Sequence, residues 1–187
     1  MQYKSNGLCL NIRKAKIDDI DNIMTIEPHA FGNHHWSKQA FINELNNDFS
    51  TYLIAELPEL QNKLVGYIGY WLVQNEGHIT TLAVDASYRK RGIADILLYS
   101  LINNAIHNGI KWLTLEVRAS NIPAINLYKK YNFKQLGMRK NYYQDNNEDA
   151  FILWTEDITN PDFINNAKGK VSHIQRSEEH ADKYQYA

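Results

Sequence analysis

The 187-residue sequence predicts an α/β fold, a mixed central sheet of about seven strands flanked by helices. Three observations predict it. Short apolar runs of strand length recur along the chain. Between two of them, Ile93, Leu97, Leu98, Leu101, Ile102 and Ala105 recur at helical spacing. Strand, helix and strand in that order favour a parallel pair with a right-handed crossover, while the polar turn Asn75-Glu76-Gly77 suggests an antiparallel hairpin with a longer loop.

The elements follow in order. A strand is expected over Leu8 to Arg13. Asp18 or Asp19 caps a helix carrying Ile20, Ile23, Met24 and Ile26, which ends near Pro28. Pro28 to Trp36 reads as a loop with Gly32 and two adjacent histidines. Ser37 caps a second helix bearing Ala40, Phe41 and Leu45. Strands are expected at Thr51 to Glu56, Leu64 to Val73 and His78 to Val84. The long helix after residue 92 stops at Gly109. Trp112 to Arg118 alternates, with Leu113, Leu115 and Val117 on one face. Ser120 or Asn121 caps a short helix reaching about Tyr131, with Pro123 tolerated in its first turn. Strands near Phe133 to Met138 and Ala150 to Glu156 flank a polar loop. One domain is expected over 1–158, followed by a polar tail over 159–187, either mobile or an appended helix.

Composition removes several function classes. Lys+Arg is 20 and Asp+Glu is 21, so no bulk charge draws the chain to nucleic acid. No run approaches the ~20 apolar residues of a membrane span, and the first ten residues do not read as a signal peptide. Cys9 is the lone cysteine, so no internal disulfide forms, and a cytoplasmic location is compatible. No cysteine pair and no His-Glu-x-x-His pattern points to a metal. A monomer or weak dimer, without nucleic acid or membrane, is the expectation.

Three features could carry chemistry. Arg89-Lys90-Arg91-Gly92-Ile93-Ala94 joins a strand to a helix start, where unpaired N–H groups and basic side chains suit phosphate. A plain turn with solvated charges fits this pattern about as well. Glu116 sits inside a strand that otherwise reads apolar, either as a solvated edge residue or as a partly buried base. Tyr128 lies at the margin of the stripe Ala124, Leu127 and Tyr131, where a phenol donates a proton or simply packs. Tyr142-Tyr143 is a candidate rim for a peptide, and Glu148-Asp149 either binds an amine or solvates its loop.

Taken together, residues from about Leu8 to Asp157 resemble the GCN-five-related N-acetyltransferase (GNAT) superfamily. The Arg-x-x-Gly-x-Ala joint carries only that likeness. Leu115-Glu116-Val117-Arg118-Ala119-Ser120-Asn121, then Ala124, Leu127-Tyr128, Phe133, Arg139, Tyr142-Tyr143 and Glu148-Asp149-Ala150, resemble the protein N-terminal acetyltransferases, and nearest the ribosomal-protein-alanine N-acetyltransferases (RimI type). The resemblance implies a GNAT fold whose splayed parallel strands bind acetyl-CoA, the acetyl donor. Leu82, Ala83 and Val84 would run along the pantetheine arm. Arg89, Lys90, Arg91, Gly92, Ile93, Ala94 and Asp95 would cradle the pyrophosphate, and Asn121 would contact the cofactor near its reactive end. Glu116 matches the general base and Tyr128 the general acid. The loops bearing Phe31 and Trp36, and Tyr142 and Tyr143, would receive the substrate, a protein N-terminus such as the N-terminal alanine of a small-subunit ribosomal protein. One departure stands out. Asn132 replaces the glycine usual after the tyrosine helix, and asparagine tolerates left-handed backbone.

Two rival readings use other substrates or no reaction at all. Within the fold, the acceptor amine is a lysine side chain, a polyamine or another small amine. In a different class, the chain binds acetyl-CoA as a sensor without turnover. A nucleotide-phosphate hydrolase lacks its Gly-x-x-x-x-Gly-Lys-Ser/Thr loop here.

Overall fold

Alternating faces of β3 (Ser50–Leu57) and its neighbours divide the interior in two. Tyr52 and Ile54 point to one side, where α1 (Ile20–Phe31) and α2 (Lys38–Leu45) cover them with Ile20, Ile23, Ile26 and Phe41. Leu53 and Ala55 point to the other side, beneath Ile96, Leu97 and Leu101 of α3 (Ile93–His107). Ile125 and Tyr128 of α4 (Ile122–Lys130) join that second cluster.

The computed structural model describes residues 1–5, 7–172 and 175–176. Besides β3, the strands are β1 (Gln2–Ser5), β2 (Leu8–Lys14), β4 (Lys63–Val73), β5 (Glu76–Val84), β6 (Trp112–Arg118), β7 (Lys134–Tyr143), β8 (Glu148–Trp154) and β9 (Gln175–Arg176). Among the described residues they form one nine-stranded sheet in the order β7-β8-β6-β5-β4-β3-β2-β1-β9. Every neighbouring pair is antiparallel except β5 and β6. The mixed α/β architecture is the expected one.

Several expectations need correction. The sheet holds two strands more than seven, because the short β1 and β9 pair at its far edge, where few residues suffice. Helix α1 runs through Pro28 to Phe31 and stops at Gly32, whose φ of 57° breaks it and whose N–H caps Pro28 O. Asp19 precedes α1 without a side-chain cap bond, because its carboxylate is taken by Arg13 at 2.7 Å and by the Lys16 N–H. The β4–β5 hairpin is tight: Val73 pairs with Glu76, leaving Gln74 and Asn75 as the loop. Strand β7 extends to Tyr143, so the polar loop shrinks to 144–147 and the tyrosine pair sits at a strand end.

The polar tail begins with a packed helix. In α5 (Pro161–Lys170), Phe163 and Ala167 are buried, and with Val171 they enter the α3 side of the core. These three recur at i, i+4 and i+8, one face of a helix. The tail residues at 173–174 and 177–187 lie outside the described residues. Asn132 adopts φ 61°, as its place in the Tyr131-Asn132-Phe133 turn requires.

Candidate active site

Strands β5 and β6 pair at Glu76↔Trp112, Gly77↔Leu113 and His78↔Thr114, and then part. The opening is a cleft of about 390 Å³. Leu82 of β5, Glu116 of β6, Asn121 and Tyr128 of α4 line it. Phe31 and Trp36 bound it on one side, Tyr142 and Tyr143 on the other. The sequence-predicted acid, base and acceptor residues therefore meet in one cavity. Ala83, Val84 and the joint 89–95 do not line it; they continue from the end of β5 into α3.

Glu116 lies two residues beyond the last β5–β6 pair. The β6 alternation buries Leu115 and Val117 and turns Glu116 into the cleft. Its side chain is only 8% exposed, and both oxygens are engaged: Oε2 lies 2.9 Å from His78 Nε2, and Oε1 lies 3.0 Å from Arg139 Nε. Neither partner was evident in the sequence, because register across the crossover and on β7 decides them. Trp71 of β4 packs beside His78, with ring centroids 6.3 Å apart.

Tyr128 is 6% exposed and packs against Phe133 at 5.3 Å between ring centroids. Burial pushes its phenol pKa up, so the hydroxyl keeps its proton at neutral pH and stands as a donor. Asn121 is the N-cap of α4, its Oδ1 accepting from Ala124 N at 3.2 Å.

The joint begins with an Asp85 cap over Ser87 N, followed by Lys90 at φ 60° and Gly92 at φ 79°. Two left-handed residues turn the chain sharply into α3, and Gly92 meets this demand without a Cβ penalty. Among the described residues no side chain caps α3, which leaves its first N–H groups for a ligand. This fits a pyrophosphate arriving along the β5 edge. Two side chains of the joint are already occupied. Arg89 Nε donates to Val84 O at 3.1 Å, and Asp95 pairs with Lys130 at 2.5 Å and accepts from the Tyr131 hydroxyl at 3.3 Å. Asp95 therefore offers its backbone, not its carboxylate, to a ligand.

The cleft's outer wall is cross-braced. Arg118 pairs with Asp145 at 3.1 Å and Glu148 at 3.2 Å, and its guanidinium lies 3.8 Å from the Tyr143 ring centroid. Hydrogen bonds from Ser120, reinforced by Asn146 and Arg118, lower the Glu148 carboxyl to about 2. Glu148 is thus a brace between β8 and the start of α4. Burial raises the Tyr143 phenol to about 12. Asp145 also meets His34 Nε2 at 3.0 Å, joining the segment after α1 to the β7–β8 loop.

A further residue escaped the sequence reading. Glu27, in the last turns of α1, is 1% exposed and lines the cleft. Its Oε1 accepts from Trp36 N at 2.9 Å, fixing the loop after α1. Burial raises its pKa to about 7, against the lowering effects of that hydrogen bond and of His35.

Comparison with known proteins agrees with this geometry. The acetyltransferase (GNAT) family matches residues 17–133, and the chain belongs to that family. It therefore uses acetyl-CoA as acetyl donor. It is similar to a Bacillus subtilis protein provisionally named a [ribosomal protein bS18]-alanine N-acetyltransferase, with 38% identity over 144 residues, covering 76% of this chain and 93% of that one. It is 32% identical over 163 residues to an N-alpha-acetyltransferase of Saccharolobus solfataricus, covering 80% and 95%. The crystal structure of the ribosomal-protein-S18-alanine N-acetyltransferase from Escherichia coli superposes with a TM-score of 0.72 at 29% identity, covering 79% of this chain and 94% of that one. Among the described residues no helix is long and apolar enough to cross a membrane.

Proposed function

We infer that this acetyltransferase acts on the N-terminal α-amine of a protein, with the N-terminal alanine of a small-subunit ribosomal protein as the favoured acceptor. The observation that carries this reading is the meeting of Glu116 and Tyr128 in one cleft also lined by Phe31 at the end of α1, Trp36 beyond it, and Tyr142 and Tyr143 at the end of β7. Such a mouth admits an extended chain end. The names of the relatives point the same way.

Acetyl-CoA, when bound, supplies an activated acyl group. The chain's own residues do the rest. An α-amine has a pKa of about 7.7–8.0, so one proton must leave before attack. Glu116, oriented by His78 and Arg139, takes that proton directly or through a water. The amine nitrogen bonds to the acyl carbon as the carbon–sulfur bond breaks. A backbone N–H near Val84 stabilises the oxygen that gains charge. Tyr128 gives its proton to the leaving sulfur and is restored, through solvent, by the second proton that the nitrogen sheds as it becomes an amide. The Leu82–Val84 backbone, the N–H groups of the 89–95 joint and Asn121 hold the donor in place. Phe31, Trp36, Tyr142 and Tyr143 hold the acceptor.

The test is a panel of peptides with different N-terminal residues, incubated with acetyl-CoA and read by mass spectrometry. Acetylation at the α-amine, strongest for an alanine terminus, is the expected result. Modification of lysine side chains or polyamines alone would overturn it. Turnover by any acceptor excludes a sensor.

A further inference from the structure

The catalytic cleft has a neighbour. Trp36, Ser37, Ala40, Asn43, Glu44 and Trp71 line a shallow hollow on the α2 side of the sheet. The two cavities share Trp36 and Trp71. Trp36 and Trp71 stack at 6.4 Å with 30° between planes, and Trp71 lies 6.3 Å from the ring of His78. An aromatic wall thus runs from the partner of Glu116 to this hollow.

Glu44 supplies its one charge. The carboxylate accepts from the Ser50 hydroxyl at 2.7 Å, the Tyr52 hydroxyl at 3.4 Å and the Trp71 indole N–H. All three donors are neutral. Among the described residues no Lys, Arg or His lies in ion-pair distance of Glu44, and Lys38, on the same helix, pairs with Asp21. Trp71 remains 38% exposed. A half-buried anion beside two indole rings favours a cation, through charge-assisted hydrogen bonding and attraction to the ring faces. An apolar occupant would strip water from the carboxylate without replacing it. An anion would be repelled.

We propose that this hollow is a specificity subsite for a lysine or arginine side chain of the acceptor polypeptide, downstream of its first residue. This rests on the α-amine reading. With the N-terminus at Glu116, the chain has to leave the cleft past its rim, and the Trp36–Trp71 wall forms part of that rim. The Glu44 carboxylate then meets the basic side chain, while the indoles cover its aliphatic stem.

The test uses peptides with an N-terminal alanine and one lysine moved through positions 2 to 6, each compared with its norleucine twin. One position should lower KM about tenfold relative to norleucine, with kcat nearly unchanged. Glu44→Gln should erase that difference and leave the KM for acetyl-CoA intact. Its amide oxygen still accepts from Ser50, Tyr52 and Trp71, so folding is preserved. A second readout needs no turnover. The Trp71 indole N–H resonance, assigned with Trp71→Leu, should shift on titration with the lysine peptide and stay put with norleucine. If peptides are acetylated but no position distinguishes lysine from norleucine, or Glu44→Gln distinguishes them as well as wild type, the subsite is refuted. If no peptide is acetylated, the α-amine reading falls, and an unmoved Trp71 signal removes the subsite with it.

Discussion

Replacing Glu27 with glutamine should make stability respond differently to pH. Glu27 is 1% exposed, one oxygen holds Trp36 N, and the other has no hydrogen-bond partner among the described residues. Burial raises its pKa from 4.5 to about 7. Between these values the folded protein keeps a proton that the unfolded chain has lost. Its contribution to stability is therefore full below about pH 4.5 and is lost as pH rises through about 7. At roughly 1.4 kcal/mol per tenfold change, the loss between pH 5 and pH 8 is on the order of 2–3 kcal/mol. Glutamine has no such proton. It carries instead a pH-independent penalty of about 1–3 kcal/mol for an amide N–H without an acceptor. The assay is urea denaturation of both proteins at four pH values from 5 to 8, with equal slopes checked. The stability of Glu27→Gln relative to wild type should rise by about 2–3 kcal/mol across that range. Two curves that stay parallel within about 0.5 kcal/mol would refute the reasoning, because Glu27 would then ionise alike in both states.

Other outcomes follow from the same geometry. Glu116→Gln and Tyr128→Phe should each lower kcat by roughly 10²–10⁴-fold while acetyl-CoA still binds, as calorimetry can show. Asn132→Ala should lose about 1–2 kcal/mol of stability at its φ of 61°, whereas Asn132→Gly should stay near wild type in the same urea assay. Phe163→Ala should cost about 3–5 kcal/mol, since Phe163 is 5% exposed within the main core. A cost near zero would mean that α5 is a dispensable appendage.

What the sequence disclosed depended on the range of the interaction. Ser37 was legible as a cap, and the α4 cap was narrowed to Ser120 or Asn121, of which Asn121 caps, because a cap reads only the next three residues. Glu116 was legible because alternation along one strand marks a polar residue among apolar ones. Its partners were not, since His78 and Arg139 reach it only after β5, β6 and β7 take their register. Glu27 looked like any polar residue in an amphipathic helix; a loop nine residues later buries it. Phe163, Ala167 and Val171 did carry a signal, but three apolar residues in a polar stretch form too narrow a stripe to outweigh composition. The same distinction explains where the site lies. A sheet strand normally spends both edges on pairing, yet β6 is paired with β8 at Glu116 while its β5 edge is open beyond Thr114. The strand can hold Glu116 rigidly from one side and present it to a ligand from the other. The parting of β5 and β6 is thus the structural condition for the proposed chemistry: were the ladder to continue past His78, the cleft that joins Glu116, Tyr128 and the aromatic residues would close.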